Sequence, residues 1–375
     1  MSDMMAAAEL AAGIIRWAEV ESPTHDSAAV NAMMDFVVSE ADEAAIAWQR
    51  IPGRDGLGDS VVLRAGPASR DPGILVLSHL DTVHPVGTAA SDLPIRQEED
   101  RLYGPGVYDM KGGAFLALQA FRHVVRAGEA RRPLVFLFTP DEEIGSPTTR
   151  ELIEDMGRRA GAVLVTEPAR DGGRVVTSRK GVGRFDVHVK GRPSHSGTRH
   201  ADGRSAIREA GRQIEAIEGL TDYGRGVTTN VGLISGGTAP NVVPQHCRFT
   251  IDLRVESLEA GESFAARLLG LRPIGPDVSV TVTGGMNRPP YERSEGTAAL
   301  FEQARALAAE IGLDLAEVPR TGGGSDGNFT AALGIPTLDG LGVDGDGAHT
   351  LDEYALISSL EPRMKLMTRL LTGLR

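Results

Sequence analysis

The sequence has very little cysteine, since Cys247 is the only one among 375 residues. A lone cysteine excludes an intramolecular disulfide framework and any cysteine-rich zinc or iron–sulfur site, because both need several thiols. Positive charge is also scarce, because 39 Lys and Arg residues stand against 51 Asp and Glu residues, a net charge of −12. Nucleic acid is therefore a disfavoured partner, since its backbone requires a positive face. A metal ion would have to bind through His, Asp and Glu.

Long hydrophobic runs are missing as well. Segments such as Pro133–Thr139 are far shorter than the ~20 residues that a membrane-spanning helix needs. The first residues are acidic where a secretory signal carries positive charge. With 41% hydrophobic and 24% charged residues, the chain has the composition of a folded protein. We expect a soluble cytoplasmic protein that binds neither nucleic acid nor a membrane.

Strands and helices alternate in the first half of the chain. The segment 73–78 (GILVLS) is apolar almost throughout, as in a strand buried on both faces. An alternating order of this kind indicates an α/β fold with a mostly parallel sheet. The predicted strands are 60–64, 73–78, 133–139 and 162–166, and the predicted helices are 4–19, 28–42, 111–126 and 148–156.

The pattern changes near Ser178. Residues 184–190 alternate between polar and apolar, which predicts a strand with one solvated face. The following elements have the order β-α-β-β-α-β, typical of a ferredoxin-like α+β insert with an antiparallel sheet. The α/β texture resumes after Pro289-Pro290 and ends in a helix that we expect to start near Pro362. The predicted domains are a discontinuous α/β domain, 1–177 and 288–375, and an inserted domain, 178–287.

Side chains that can bind metal follow the predicted buried strands or precede helices. In open α/β sheets, functional residues gather at the carboxyl ends of the strands, so we expect these side chains to meet. Each also has a plain structural interpretation: Asp109 as a helix N-cap, for example, or Asp141–Glu143 as a solvated acidic turn. The residues are His79, Asp81, Asp109, Glu142, Glu143, Glu167 and His349.

Two imidazoles and three carboxylates suit a pair of divalent metal ions that share one carboxylate. Two such ions ~3.5–4 Å apart activate a water molecule and polarise a carbonyl group. Imidazole with carboxylate favours two Zn²⁺ ions per subunit, with Co²⁺ or Mn²⁺ as substitutes. Glu142 stands beside a candidate ligand and can move the proton of that water. The Gly-rich turn at 322–327 lacks the spacing and position of a dinucleotide fingerprint.

Six motifs, in the same order along nearly the whole chain, resemble the aminoacylase/carboxypeptidase family of dinuclear zinc metallopeptidases. They are His79-x-Asp81, Gly104-Pro-Gly-x-x-Asp109-x-Lys-Gly-Gly, Asp141-Glu142-Glu143-x-Gly145, Glu167-Pro168, Ser194-His195-Ser-Gly197 and Asn241-x-x-Pro244. The segment Arg320–Asp326 (RTGGGSD) looks most like the glutamate carboxypeptidase branch of that family. The motifs are specific for the family and much less so for the substrate.

The resemblance implies a metal and catalytic role for each matching residue. One zinc ion would bind His79 and Glu167, the other would bind Glu143 and His349, and Asp109 would bridge them. Glu142 would act as general base and then acid, and Asp81 would orient His79. Without its motif, His195 would be interpreted as a surface histidine in a turn. In the family, the matching imidazole stabilises the oxyanion in the partner subunit of a homodimer, and the insert is the dimerisation and lid domain.

The resemblance also implies contacts to the substrate. A bidentate arginine suits a substrate carboxylate. The implied contact residues are Asn241, Arg254, Arg288, Gly323, Gly324 and Ser325. The leading hypothesis is a metal-dependent amide hydrolase, a metallocarboxypeptidase that releases a C-terminal, glutamate-like residue. Two alternatives stay open: an N-acyl-amino-acid deacylase of the acetylornithine deacetylase type, and a non-catalytic metal-dependent binding protein.

Overall fold

The structure is a computed structural model that describes residues 4–69 and 72–375. Its helices are α1 (Ala7–Ala18), α2 (Ser27–Glu43), α3 (Lys111–Arg126), α4 (Arg150–Gly157), α5 (Ala206–Glu218), α6 (Leu258–Leu269), α7 (Glu295–Ala309), α8 (Gly327–Ala332) and α9 (Ile357–Gly373). Its strands are β1 (Ala47–Ile51), β2 (Ser60–Ala65), β3 (Gly73–His79), β4 (Arg96–Glu98), β5 (Arg101–Tyr103), β6 (Leu134–Thr139), β7 (Ala160–Val165), β8 (Val175–Val176), β9 (Gly181–Lys190), β10 (Thr228–Gly236), β11 (His246–Val255), β12 (Ser279–Arg288), β13 (Glu317–Val318), β14 (Thr337–Leu338), β15 (Gly345–Asp346) and β16 (Tyr354–Leu356). Across these described ranges, helices that are both long and apolar enough to cross a membrane are absent.

The chain forms two compact units. The first comprises the described residues up to Ser178 together with Arg293–Thr321 and Ser325–Arg375. The second comprises Arg179–Glu292 together with Gly322–Gly324. The first unit is therefore built from separate stretches of the chain.

A six-stranded sheet in the order β1-β2-β6-β3-β7-β14 organises the first unit. Strands β6, β3, β7 and β14 run parallel, whereas β2 pairs antiparallel with β6, and β1 pairs antiparallel with β2 at the edge of the sheet. The mostly parallel α/β sheet predicted from the sequence is thus confirmed, and β1 is an addition that was not predicted. Because β3 lies between β6 and β7 and all three run parallel, their carboxyl ends meet at one edge.

The burial of β3 on both faces explains its apolar sequence. Ile74 and Val76 belong to the large core that α1, α2, α3, α7 and α9 form on one side of the sheet. Leu75 and Leu77 belong to a smaller cluster on the other side, with Ile153. Each such side chain contributes about 1.5–3 kcal/mol when it is fully removed from water. Both faces therefore fix the position of the strand end, where His79 stands.

The second unit has a four-stranded antiparallel sheet in the order β10-β11-β9-β12. Phe185, Val187 and Val189 of β9 are buried with residues of α5 and α6, while Arg184 and Asp186, which alternate with them, are exposed. The predicted β-α-β-β-α-β order with one solvated sheet face is confirmed. The dimerisation and lid functions of this unit remain predictions.

The final helix begins earlier than the sequence indicates. Proline favours the first turn of a helix, so the prediction placed the start near Pro362. In the structure α9 starts at Ile357, and Pro362 lies inside it. The carboxylate of Asp100 accepts hydrogen bonds from the backbone N–H of Ser358, at 2.8 Å, and from its hydroxyl, at 2.5 Å. This cap comes from a distant part of the chain, so no local signal marks the start.

Candidate metal centre

His79 ends β3 and is buried, with 2% of its surface exposed. Its Nδ1 lies 3.0 Å from the backbone oxygen of Asp81 and 3.4 Å from that residue's Oδ1. Its Nε2 lies 3.2 Å from Asp109 Oδ1 and 3.7 Å from Glu167 Oε1. Asp81 can therefore hold a proton on Nδ1, which leaves Nε2 as the ligand atom that faces two carboxylates.

Asp109 lies between two imidazoles. Its Oδ2 is 3.3 Å from His349 Nε2, and the same nitrogen is 3.0 Å from Glu143 Oε2. Two candidate ligand groups result, and within each the ligand atoms lie within 4.8 Å of one another. They are His79, Asp109, Glu167 and Asp109, Glu143, His349. The structure thus brings the five predicted ligands together and makes Asp109 their common member.

An unpartnered oxygen tests whether these residues fit metal ions. Among the described residues, Glu143 Oε1 is buried and has no hydrogen-bond partner. A buried carboxylate oxygen without a donor is costly, and a cation removes that cost. Imidazole nitrogen with carboxylate oxygen is also the donor set of zinc and related divalent ions. The residues present therefore fit a pair of divalent cations.

The pKa shifts of the residues in the two groups also indicate that this site attracts positive charge. Burial opposes ionisation of Asp109, but hydrogen bonds from His349 and His79 outweigh it and hold the pKa of Asp109 well below its usual range. Hydrogen bonds to Asp109 and Glu143 raise the pKa of His349 to about 11. Burial, together with the nearby charge of Asp109, raises the pKa of Glu143. Without a metal ion, protons on the imidazoles supply the positive charge that these carboxylates attract.

Asp81 connects His79 to the turn that carries Glu142 and Glu143. Its buried carboxylate accepts hydrogen bonds from the backbone N–H groups of Glu142 and Glu143, each at 3.1 Å, and from the Thr24 hydroxyl at 2.7 Å. The neighbouring Asp141 carboxylate accepts from the backbone N–H of Thr148 at 2.8 Å and folds the turn back on itself. Asp81 thus fixes the acidic turn as well as the imidazole, which the sequence did not indicate.

Two buried residues near the site were missed by sequence reasoning. Thr24 contacts Asp81, and Glu353 accepts hydrogen bonds from the backbone that leads into Asp109. Neither follows a predicted buried strand. The one available signal for Glu353 is its position four residues after His349.

His195 lies exposed in the second unit, in a turn next to Asn241. Its Nδ1 accepts hydrogen bonds from the backbone N–H groups of Gly197, at 3.1 Å, and Thr198, at 3.2 Å. A neutral ring that accepts at Nδ1 carries its proton on Nε2, so the outer nitrogen is a donor. The N–H of Ser196 donates to the backbone oxygen of Asn241 at 3.0 Å, which brings these two predicted site residues together.

The predicted arginines stand against the glycine segment of the second unit. Arg254 makes two hydrogen bonds to Asp252, at 2.7 and 2.9 Å, and its Nη1 lies 3.4 Å from the Gly322 oxygen. Arg288 is buried, and a Cβ on Gly324 would lie 2.7 Å from its Cδ. Glycine is therefore required at 324 by the close approach of Arg288.

The remaining predicted contacts differ in exposure. Gly323 has a backbone oxygen 3.2 Å from Arg179 Nη1 in the same unit. Ser325 belongs to the first unit and is fully buried, and its hydroxyl donates to Asp339 Oδ2 at 2.6 Å. The Ser325 hydroxyl is thus already used inside that unit.

The chain is similar to a known protein family and to several known proteins. The model of "Peptidase family M20/M25/M40" matches residues 75–373. Carboxypeptidase G2 from Pseudomonas sp. (strain RS-16) is 30% identical over 365 residues, which cover 95% of this chain and 86% of that protein. A tripeptidase from Staphylococcus aureus superposes with a TM-score of 0.78 at 21% identity, covering 98% of each chain. A dinuclear metal-binding M20 peptidase from Bacillus subtilis has a TM-score of 0.69 at 16% identity, covering 97% of this chain and 98% of that one.

Proposed function

This chain belongs to peptidase family M20/M25/M40, and from that premise we propose that it is a dinuclear metallocarboxypeptidase that releases a C-terminal, glutamate-like amino acid from an N-acyl or peptidyl amide. The observation that carries the proposal is the pair of ligand groups that share Asp109, with Glu142 on the adjoining turn. Membership of the family supports hydrolysis of an amide by metal-activated water. The preference for a C-terminal glutamate is the more specific part of the proposal. Support for that part comes from the likeness to carboxypeptidase G2.

The metal ions would bind to His79 with Glu167 and to Glu143 with His349, with Asp109 shared. When bound, two divalent ions supply Lewis acidity for the amide carbonyl and lower the pKa of water. The donor set supports zinc, with Co²⁺ or Mn²⁺ as substitutes. The dinuclear centre of the Bacillus subtilis neighbour supports the number of ions.

The protein's own groups would then move the proton and hold the developing charge. Glu142 takes a proton from the attacking water and returns it to the nitrogen of the leaving amine. Asp81 keeps the Glu142 turn in place through the backbone hydrogen bond at 3.1 Å. The Nε2–H of His195 donates to the oxyanion, which is consistent with the tautomer that Gly197 and Thr198 impose.

Recognition of the substrate carboxylate would fall to arginine. Arg254 and Arg288 are candidates, with Asn241 and the backbone of Gly323 and Gly324 as neutral donors. Arg254 already pairs with Asp252, so its charge is partly balanced. The net charge of −12 repels an acidic substrate at long range, and binding must depend on these local cations and on the metal ions.

We also propose that the second unit is a dimerisation and lid domain that delivers His195 to the metal centre of the partner subunit. The exposure of His195 supports this, because an exposed donor is free to meet another surface. Sedimentation should give a dimer. A monomer with full activity at micromolar concentration would contradict the role in trans.

The test of the function is a hydrolysis screen with added Zn²⁺, Co²⁺ and Mn²⁺. We expect metal-stimulated release of glutamate from folate or an acyl-glutamate, with much lower activity on N-acetylornithine. The reverse preference would favour a deacylase, which shares the same catalytic residues. Two bound metal ions with no hydrolysis of any amide would leave a metal-dependent binding protein.

A further inference from the structure

Glu353 is a buried carboxylate whose two oxygens are saturated by donors. It is 1% exposed. Its Oε1 accepts hydrogen bonds from the backbone N–H groups of Tyr108 and Asp109, both at 2.9 Å. Its Oε2 accepts from the N–H of Gly106 at 3.0 Å and lies 2.9 Å from Nε2 of His84. Three backbone N–H groups of the loop that leads into Asp109, and one imidazole, thus depend on one side chain.

His84 completes this arrangement from the loop after β3. It is 6% exposed and therefore cut off from water. Because an ionised carboxylate can only accept, His84 Nε2 must carry the proton of this hydrogen bond. A donor on each side of Oε2 also fixes the orientation of the carboxylate.

The same residue is tied to the second candidate ligand group through the chain. His349 precedes it by four residues, and the backbone oxygen of Glu353 accepts a hydrogen bond from Gly104 N–H at 3.4 Å. Directly after it, Tyr354 pairs with Tyr103 in the β16–β5 ladder. Glu353 therefore stands where the segment of His349 crosses the segment of Asp109.

We propose that Glu353 is a positioning residue that holds Asp109 and His349 at a fixed separation and so sets the affinity of the Asp109, Glu143, His349 group for its metal ion. The inference rests on the proposed function only in that it assumes a two-metal centre. Asp109 Oδ2 and His349 Nε2 are 3.3 Å apart, and a shift in either backbone would change that separation. Residues that orient metal ligands typically contribute 10–100-fold to metal affinity.

The test is a Co²⁺ titration of the metal-free protein, followed by the visible absorption of bound cobalt. The variant is Glu353→Gln, whose amide NH₂ must face at least one donor that the carboxylate accepted. We expect the Co²⁺ of the Asp109, Glu143, His349 group to bind about 10–100-fold more weakly, and the other ion, which shares only Asp109, to be weakened less. Two ions bound with wild-type affinity would overturn the proposal.

A matched control separates positioning from general loss of stability. Glu209, in the second unit, is 2% exposed and accepts from the backbone N–H groups of Ile274, at 2.7 Å, and Gly275, at 2.9 Å. Glu209→Gln removes the same kind of buried carboxylate, and we expect a lower unfolding temperature with both Co²⁺ affinities intact. An equal loss of cobalt affinity in both variants would show a merely structural effect and overturn the proposal.

If Glu353→Gln does not fold, Glu353→Asp is the second variant, because its shorter carboxylate cannot reach all of the backbone N–H groups and the imidazole that Glu353 contacts. Weaker binding of one Co²⁺ is expected, and unchanged binding of both would overturn the proposal. A wild-type protein that binds two ions but hydrolyses no amide contradicts the proposed function and leaves the role of Glu353 standing. A wild type that binds fewer than two ions overturns both.

Discussion

The Asp81 carboxylate accepts a hydrogen bond from the backbone N–H of Glu142, at 3.1 Å. The same oxygen lies 3.4 Å from Nδ1 of His79. One buried carboxylate therefore sets both the imidazole that faces the metal centre and the turn that carries the proposed proton acceptor. The separation between ligand and base is fixed by a side chain that need not touch substrate.

Asp81→Asn should disturb metal binding and turnover together. The amide keeps the shape of the carboxylate, but in either orientation its NH₂ group must face the backbone N–H of Glu142 or that of Glu143. A buried donor without an acceptor costs about 1–3 kcal/mol. We expect a lower unfolding temperature and activity reduced about 10–100-fold at fixed free metal. Asp26→Asn is the control, because asparagine caps α2 as well as aspartate does. A wild-type kcat in Asp81→Asn would contradict the role of Asp81 in positioning His79 and Glu142.

Glu142→Ala should separate chemistry from metal binding. Glu142 is not in either candidate ligand group, so metal content should stay at the wild-type value. Loss of a general base typically reduces the rate about 10²–10⁴-fold. The measurements are kcat and metal content after dialysis. The adjacent Glu143→Ala is the comparison, since it should lose metal as well as activity; equal metal loss in the two variants would count against the assignment.

The shared position of Asp109 gives a prediction about metal stoichiometry. Asp109→Ala removes a ligand from both groups, whereas His349→Ala removes one from a single group. We expect Asp109→Ala to lose both ions and His349→Ala to retain one, as measured by elemental analysis at controlled free zinc. If the two variants retain the same number of ions, Asp109 is not a bridging ligand.

Sequence reasoning could place the ligands that follow buried strands. The run 73–78 predicts β3, and His79 and Asp81 come directly after it; the same logic gives Glu143 after β6 and Glu167 after β7. Parallel strands bring such residues to one edge, so the site follows from strand order. The family resemblance supplied the pairing of ligands.

The supporting residues could not be found in this way. Glu353 lies 244 residues from Asp109 in the chain, and it meets the Asp109 loop only after β16 has paired with β5. Asp100 caps α9 across a gap of 258 residues, so local propensity around Pro362 gave the wrong start. Contacts of this kind depend on tertiary packing, which leaves no periodic signal in the sequence.

The high pKa of His349 gives a prediction about protons. Hydrogen bonds to Asp109 and Glu143 raise that pKa to about 11, against about 6.5 in an unfolded chain. The metal-free protein therefore holds this proton at neutral pH, where the unfolded chain has released it. The proton on His349 therefore stabilises the metal-free fold. The stabilisation is complete at pH values below the pKa that His349 has in the unfolded chain, and it is lost as the pH rises through the pKa that His349 has in the folded protein.

Metal binding must then release protons, because an imidazole ligand is neutral. The pKa of His79 is also raised, since hydrogen bonds to Asp109 and Asp81 outweigh its burial. We expect Zn²⁺ binding at pH 7.5 to release on the order of one proton per imidazole and to strengthen as pH rises. Calorimetry in buffers of different ionisation enthalpy measures this release. His349→Ala should release about one proton fewer, and a binding enthalpy that does not depend on the buffer would show that the imidazoles carry no proton before the metal arrives.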